Sequence, residues 1–496
     1  MGYTENQANS EKNPKIQIKN GTVYDPANGI ECEKMDIFVA DCKIVDETKP
    51  DKVIDATGKT VMPGGIDVNS HVATYGLNLT RFTSGFPTLS EIGHTYALMG
   101  YTHLNEPLMT LNTASYVHHE LSGIPIVDTS ASLCLSLYDI ANEIRERDKE
   151  SVRNLLLFLL DATRAINVQL YDARVKYAKT GFFYRAISLK KCLDFFSDLT
   201  KTESGNMPNI RVRTYPELLD EATESVNTFW LAHIASGIDN CDRYEAAEAI
   251  LKTCGDVDLG IFCPSPNGAT NMSIGYGVPN AAERIASIDI GLEQPLTFSK
   301  LNVQNMQPKR VFHSLKFALD TLEYLPSRSS IAFSTDSPNG CLFTSYPRIF
   351  AALLSCDNRK ELTNGELPRT EYSLYNFAQI TRTNPAKMLG LLTKGHLGAG
   401  ADADIAIYDI NEKTKGKALE RRLSSCSCLV KGGEVVIKAG QSNNDKTRNK
   451  RFYFVCGENE LETAKQKQHE LIGRVCNRRS FRAEHLKVDD CFIQSY

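Results

Sequence analysis

The chain divides by the period of its apolar positions. Over residues 15–61 apolar and polar residues alternate, with breaks at Asn20-Gly21, Pro26-Ala27-Asn28-Gly29 and Thr57-Gly58. A period of two punctuated by Gly, Asn and Pro predicts short antiparallel strands joined by turns. The same texture returns in residues 403–409 and 428–436, so both ends of the chain are expected to complete one small β-sandwich. Between them, short apolar runs alternate with longer stretches of helical period, such as Ser151 to Ile166 and Val311 to Tyr324. That alternation predicts parallel strands with crossover helices, and roughly 330 residues suit a TIM-type (β/α)8 barrel with insertions. A doubly wound open sheet is the structural alternative. The expected division is a polar tail over 1–14, half the sandwich over 15–64, the barrel over 65–394, the other half over 395–440, and a linker with a basic appendage over 441–496.

The joint between sandwich and barrel is Val61-Met62-Pro63-Gly64-Gly65-Ile66-Asp67-Val68-Asn69-Ser70-His71. Pro63 and two glycines stop one strand, and Ile66-Asp67-Val68 restarts another. Residues two apart on a strand share a face, so Asn69 and His71 are expected to look into one cavity at the strand's C-terminal end, where barrels carry their chemistry.

Composition narrows the class. With 496 residues and 42% hydrophobic content the chain can bury a large core, and its net charge of -4 argues against a nucleic-acid-binding protein. Residues 1–14 lack an apolar segment, so neither a signal peptide nor a membrane anchor is expected there, and a cytoplasmic location follows. The fourteen cysteines are scattered, and Cys426-Ser427-Cys428 has no second pair at zinc-site spacing, so they read as free buried thiols. No Gly-x-Gly-x-x-Gly or P-loop follows a strand. His118-His119 beside Glu120 reads as structural, because adjacent residues on a helix do not face one point. The C-terminal basic residues, among them Lys446, Arg448, Lys450, Arg451, Arg474, Arg478, Arg479 and Arg482, read as a solvated face or as a surface for an anionic ligand or partner.

The Pro-Gly-Gly-Ile-Asp-x-Asn-x-His joint resembles the first barrel strand of the amidohydrolase superfamily, with Asn69 where that superfamily has a histidine. Further stretches are similar to one family in it: the A-type subunits of formylmethanofuran dehydrogenase and of formyltransferase/hydrolase complexes. They are residues 99–107, His118-His119-Glu120-Leu121, Ala162-Thr163-Arg164-Ala165, Ser334-Thr335-Asp336-Ser337-Pro338-Asn339-Gly340, Phe343-Thr344-Ser345-Tyr346-Pro347-Arg348-Ile349, and Lys394 through Asp409. The resemblance implies a binuclear zinc site, hydrolysis of a formyl carrier to formate and free carrier, and partner subunits.

Mapped by that resemblance, His71 matches a strand-one ligand, Lys179 (or Lys176) a bridging lysine, His233 a strand-six ligand, and Asp336 the strand-eight aspartate that serves as general base. Asn69 ligates zinc poorly, and Arg213, in Ile210-Arg211-Val212-Arg213, replaces a metal ligand with a cation that cannot bind one. At most one zinc is therefore expected, and a metal-free chain is the equal alternative. Asn105, Glu106, Asn339 and Arg348 are the expected substrate-binding residues. Three functions follow from the resemblance: a complex subunit that scaffolds its partners or holds a carrier with an acidic tail, a hydrolase working with one metal or none, or an amidohydrolase of an unrelated amide or cyclic imide. Neither nucleic acid nor membrane is an expected partner.

Overall fold

The computed structural model describes residues 2–4, 14–73, 87–171, 189–202, 210–213, 229–231, 256–261, 272–276, 296–300, 307–323, 330–337, 341–362, 367, 369, 371–442, 450–455, 466–477, 486 and 488. Eight parallel strands form its centre: Gly65–Asp67, Tyr101–Met109, Asp128–Ser136, Asn167–Tyr171, Ile210–Arg213, Phe229–Leu231, Asp256–Asp258 and Ser330–Ala332. They neighbour one another in that order, so each new strand adds beside the last. This is the (β/α)8 order expected from the alternating pattern. Strand two is buried along nearly all of Tyr101–Met109, as a strand covered on both faces must be.

The helices follow from their apolar spacing and caps. Lys149–Thr163 buries Val152, Leu155, Leu156, Leu159 and Leu160 on one face, and Asp148 caps it by accepting from the Ser151 N–H. Leu89–Leu98 begins with a reciprocal capping box between Thr88 and Glu91. The helix expected over Val311 to Tyr324 is present as Gln307–Glu323.

The chain ends build a nine-stranded sheet around a second apolar core that includes Ile16, Ile18, Val23, Val61, Ile405, Ile407 and Val430. Strand Ile405–Tyr408 lies antiparallel to Thr60–Pro63, which joins the two halves. One expected turn is a different feature. Asn20-Gly21 is a bulge inside the continuous strand Ile16–Asp25, with Asn20 at φ 61° and a register shift between Ile18 and Gly21. A β-carbon at Gly21 would run into Val61 Cγ2, so the bulge and the glycine belong together. The residues on either side of Gly64 belong to different sheets, and a β-carbon there would run into the Thr102 side chain.

The end of the barrel opposite His71 is closed by charge. Lys394 Nζ lies 2.6 Å from Asp128, 2.5 Å from Asp404 and 3.2 Å from Asp402. Lys431 reaches Asp128 at 2.9 Å, and Arg451 and Lys43 reach Asp402 at 2.8 and 2.7 Å. Asp128 starts strand three, Asp402 and Asp404 come from the Gly-Ala-Asp-Ala-Asp stretch, and Arg451 from the C-terminal region. The network therefore bolts barrel, sandwich and C-terminal segment together. Strand Phe452–Phe454 pairs in parallel with strand three, and Gly2–Thr4 pairs with it in turn. Residues read as tail and basic appendage thus contribute to the barrel sheet. Lys450 donates to the carbonyls of Leu121, Ser122 and Ile124 at the end of helix Ala114–Ser122, and Arg474 pairs with Glu143 at 2.7 Å. Lys450, Arg451 and Arg474 are thus engaged within the chain rather than held out for a partner; Lys446, Arg448, Arg478, Arg479 and Arg482 lie outside the described residues.

Candidate functional site

Strand one ends in a bend set by its own aspartate. Asp67 Oδ1 accepts from the Asn69 N–H at 3.0 Å, and the Ser70 N–H and hydroxyl both donate to the Asn105 carbonyl. His71 follows at φ 45°, a left-handed conformation that is uncommon without glycine. Strand eight ends the same way, with Asp336 at φ 46°. Two strained strand ends facing each other are where a barrel concentrates function.

Between them lies a compact polar cluster. His71 Nε2 is 2.8 Å from Asp336 Oδ1, and its Nδ1 is 3.5 Å from Glu106 Oε1. The Asn69 side-chain amide donates to Asp258 Oδ2 at 3.1 Å and to Asp336 Oδ1 at 3.2 Å. Asp258 also accepts from the Ser334 N–H at 2.9 Å and the Ser334 hydroxyl at 2.5 Å. Asn69 and Asp258 are fully buried, whereas the Asp336 side chain is 14% exposed, so the cluster opens to solvent at Asp336.

Electrostatics follow from that packing. Burial disfavours a charged His71 ring, but Asp336 and Glu106 outweigh it and lift the imidazolium to about 9. Burial, assisted by the neighbouring Asp336 and Asp67 charges, lifts the Asp258 carboxyl to about 7. The cluster can therefore hold and exchange protons near neutrality.

Not every expected residue meets there. His71, Asn69, Glu106 and Asp336 come together. Glu106 also accepts from the Ala73 and Leu108 N–H groups, which ties the chain after His71 to strand two. Asn105 is fully buried one residue earlier, where its amide contacts the Val68 carbonyl and the Ser130 and Ser132 hydroxyls. Arg348 lines a separate cleft of about 460 Å³ with Lys417, Glu420 and Arg421. Arg213 is the last residue of strand five, in register with Tyr171 and Trp230, and is described in its backbone alone. Lys176, Lys179, His233 and Asn339 lie outside the described residues. Asp258 is not among the residues the sequence singles out, and Ser334 enters there only as the first residue of the 334–340 stretch.

Residues 168–437 match the model of the amidohydrolase family. The chain is 30% identical to protein FwdA of Methanocaldococcus jannaschii, over 85% of this chain and 88% of that one. The chain belongs to the amidohydrolase family. It is also homologous to the A-type subunit of the formyltransferase/hydrolase complex Fhc of Methylorubrum extorquens, at 28% identity over 86% of this chain and 88% of the relative. The crystal structure of that complex, with methylofuran, shares the fold with a TM-score of 0.72 at 22% identity, covering 97% of this chain and 98% of that one.

Membership in the amidohydrolase family implies a metal at this end of the barrel. Of the residues that the resemblance maps to it, His71 and Asp336 meet here, while Lys176, Lys179 and His233 lie outside the described residues. His71 has both ring nitrogens directed at carboxylates, and Asn69 points amide hydrogens, not a lone pair, at Asp258 and Asp336. Among the described residues no group of three or more His, Cys, Asp or Glu side chains could hold an ion. Among them, too, no helix is long and apolar enough to cross a membrane.

Proposed function

We propose that this amidohydrolase-family chain is a divergent A-type subunit of a formylmethanofuran dehydrogenase or formyltransferase/hydrolase complex in one-carbon metabolism, with a reduced metal site. Its role is to hold the formyl carrier or to scaffold the partner subunits. The observation that carries this reading is likeness to FwdA and to the A-type protein of Fhc along most of the chain, combined with a departure at the site itself. There Asn69 hydrogen-bonds the carboxylates where the family resemblance calls for a ligand. That Fhc crystallises with methylofuran supports a furan-type carrier as the small molecule.

A second reading rests on the His71–Asp336 pair at the open side of the cluster. A carboxylate touching an imidazole at 2.8 Å can take the proton of an attacking water. Attack on a formyl amide then gives formate and the free amine, with that proton passing to the leaving nitrogen.

Co-expression with the remaining subunits of such a complex separates the two. The scaffold reading expects stoichiometric co-purification and binding of methylofuran or methanofuran without formate release from the N-formyl carrier. Formate release abolished by Asp336→Ala would establish the hydrolase instead. A chain that neither assembles nor binds carrier would remove both.

A further inference from the structure

The Thr344-Ser345-Tyr346-Pro347-Arg348 stretch carries part of the family resemblance, yet none of its side chains belongs to the polar cluster. We propose that Tyr346 is a positioning residue that sets the distance between His71 and Asp336 by clamping the two strand ends that carry them. Its hydroxyl donates to Asp67 Oδ2 at 2.7 Å and accepts from the Thr335 N–H at 3.1 Å. Asp67 bends strand one through the Asn69 N–H, two residues before His71. Thr335 immediately precedes Asp336. A single oxygen therefore spans strands one and eight directly behind the cluster, and no backbone ladder joins those strands among the described residues.

The ring is held so that the oxygen has little freedom. Tyr346 stacks on Phe350 with centroids 5.1 Å apart and lies 5.2 Å from Tyr101. Burial, with the Asp67 charge beside it, holds the phenol well above its ordinary range, so it stays a donor to Asp67. Its remaining lone pairs are then available to the Thr335 amide.

Tyr96 provides an internal control. Its hydroxyl donates to the same Asp67 oxygen, also at 2.7 Å, and its ring packs in the same aromatic cluster, 6.3 Å from Tyr346. Among the described contacts it makes no bond to strand eight. Tyr96→Phe and Tyr346→Phe thus each remove one donor from Asp67, and only the second releases Thr335.

The inference rests on where His71 and Asp336 sit and not on the proposed substrate, so it is tested without an activity assay. The full-length protein with ¹⁵N-labelled histidine is compared by NMR with Tyr346→Phe and Tyr96→Phe, and His71→Asn assigns the His71 ring signals. Amide exchange at Thr335 is followed in parallel. Tyr346→Phe is expected to move the His71 ring signals and to speed Thr335 exchange about tenfold, while Tyr96→Phe leaves both near wild type. Equal effects from the two variants, or none from Tyr346→Phe, would overturn the proposal. If Tyr346→Phe does not fold, the wild-type protein decides: slow exchange at Thr335 is required, and free exchange overturns the clamp.

Discussion

Replacing Lys394 by methionine tests whether the charge network is what joins barrel to sandwich. The ammonium is fully buried and lies within 3.2 Å of three carboxylates. Methionine keeps most of the side chain's length and removes the charge. Asp128 and Asp404 would then share Lys431, and Asp402 would keep Arg451 and Lys43. Three carboxylates would remain in a site that has lost its central cation. Removing one partner from a buried ion pair typically costs about 3–5 kcal/mol, because the charge left behind stays desolvated. The surviving cations place the expectation near the lower end, at about 3 kcal/mol. Urea unfolding at pH 7.5 measures it as a drop in midpoint at unchanged slope. The pH dependence adds a sharper check. Burial raises the Asp404 carboxyl, but Lys394 and then Lys431 pull it below its ordinary range, so in the wild type this stability is present above the unfolded value and lost as pH falls. In the variant an orphaned carboxyl takes up a proton more readily. The gap between the proteins should therefore narrow between pH 7.5 and 4.5. A cost under about 1 kcal/mol, or a gap that widens on acidification, would refute the network as the joint.

The His71 ring should stabilise the fold most below its unfolded value of 6.5, with the contribution lost as pH rises through about 9. That difference corresponds to about 3 kcal/mol, so the urea-midpoint difference between wild type and His71→Asn should shrink from pH 6.5 to 9.5; a constant difference would contradict the assignment. Asn69→His restores a nitrogen ligand beside Asp258 and Asp336, and metal analysis of protein purified without chelator should find more zinc than in wild type. Unchanged zinc would show that Asn69 is not what distinguishes this site. Gly64→Ala should cost about 1–3 kcal/mol through its clash with Thr102, and Thr102→Ala should recover part of the loss in a thermal melt.

Much of the fold is legible in the sequence because its signals are local. The Pro63-Gly64-Gly65 joint and the helix over residues 149–163 are specified by their own residues. The Asn20-Gly21 bulge reads as a turn because a positive φ serves either, and the choice depends on Val61, distant in sequence. At the site, the shared face of Asn69 and His71 follows from strand alternation. Asp258 does not, because a three-residue strand carries no pattern that separates a site carboxylate from a loop aspartate. Lys450 and Arg451 look like surface charge because nothing in a basic run announces the carbonyls and carboxylate that will bury it. Asp402 and Asp404 are legible as a family mark, but their pairing with Lys394 is visible only in three dimensions.

The pairing of the C-terminal segment with strand three also has a consequence for biosynthesis. The Arg451 amide donates to Asp128 across 323 residues of sequence. At about 5–20 residues per second, a ribosome takes roughly 15–65 s to make that much chain. During that interval the start of strand three has an open edge, and Asp128 lacks Lys394 and Lys431 for most of it, as well as the segment that closes over it. The nascent barrel is therefore completed late, and the interval before residue 451 emerges is when it most needs shielding from other chains.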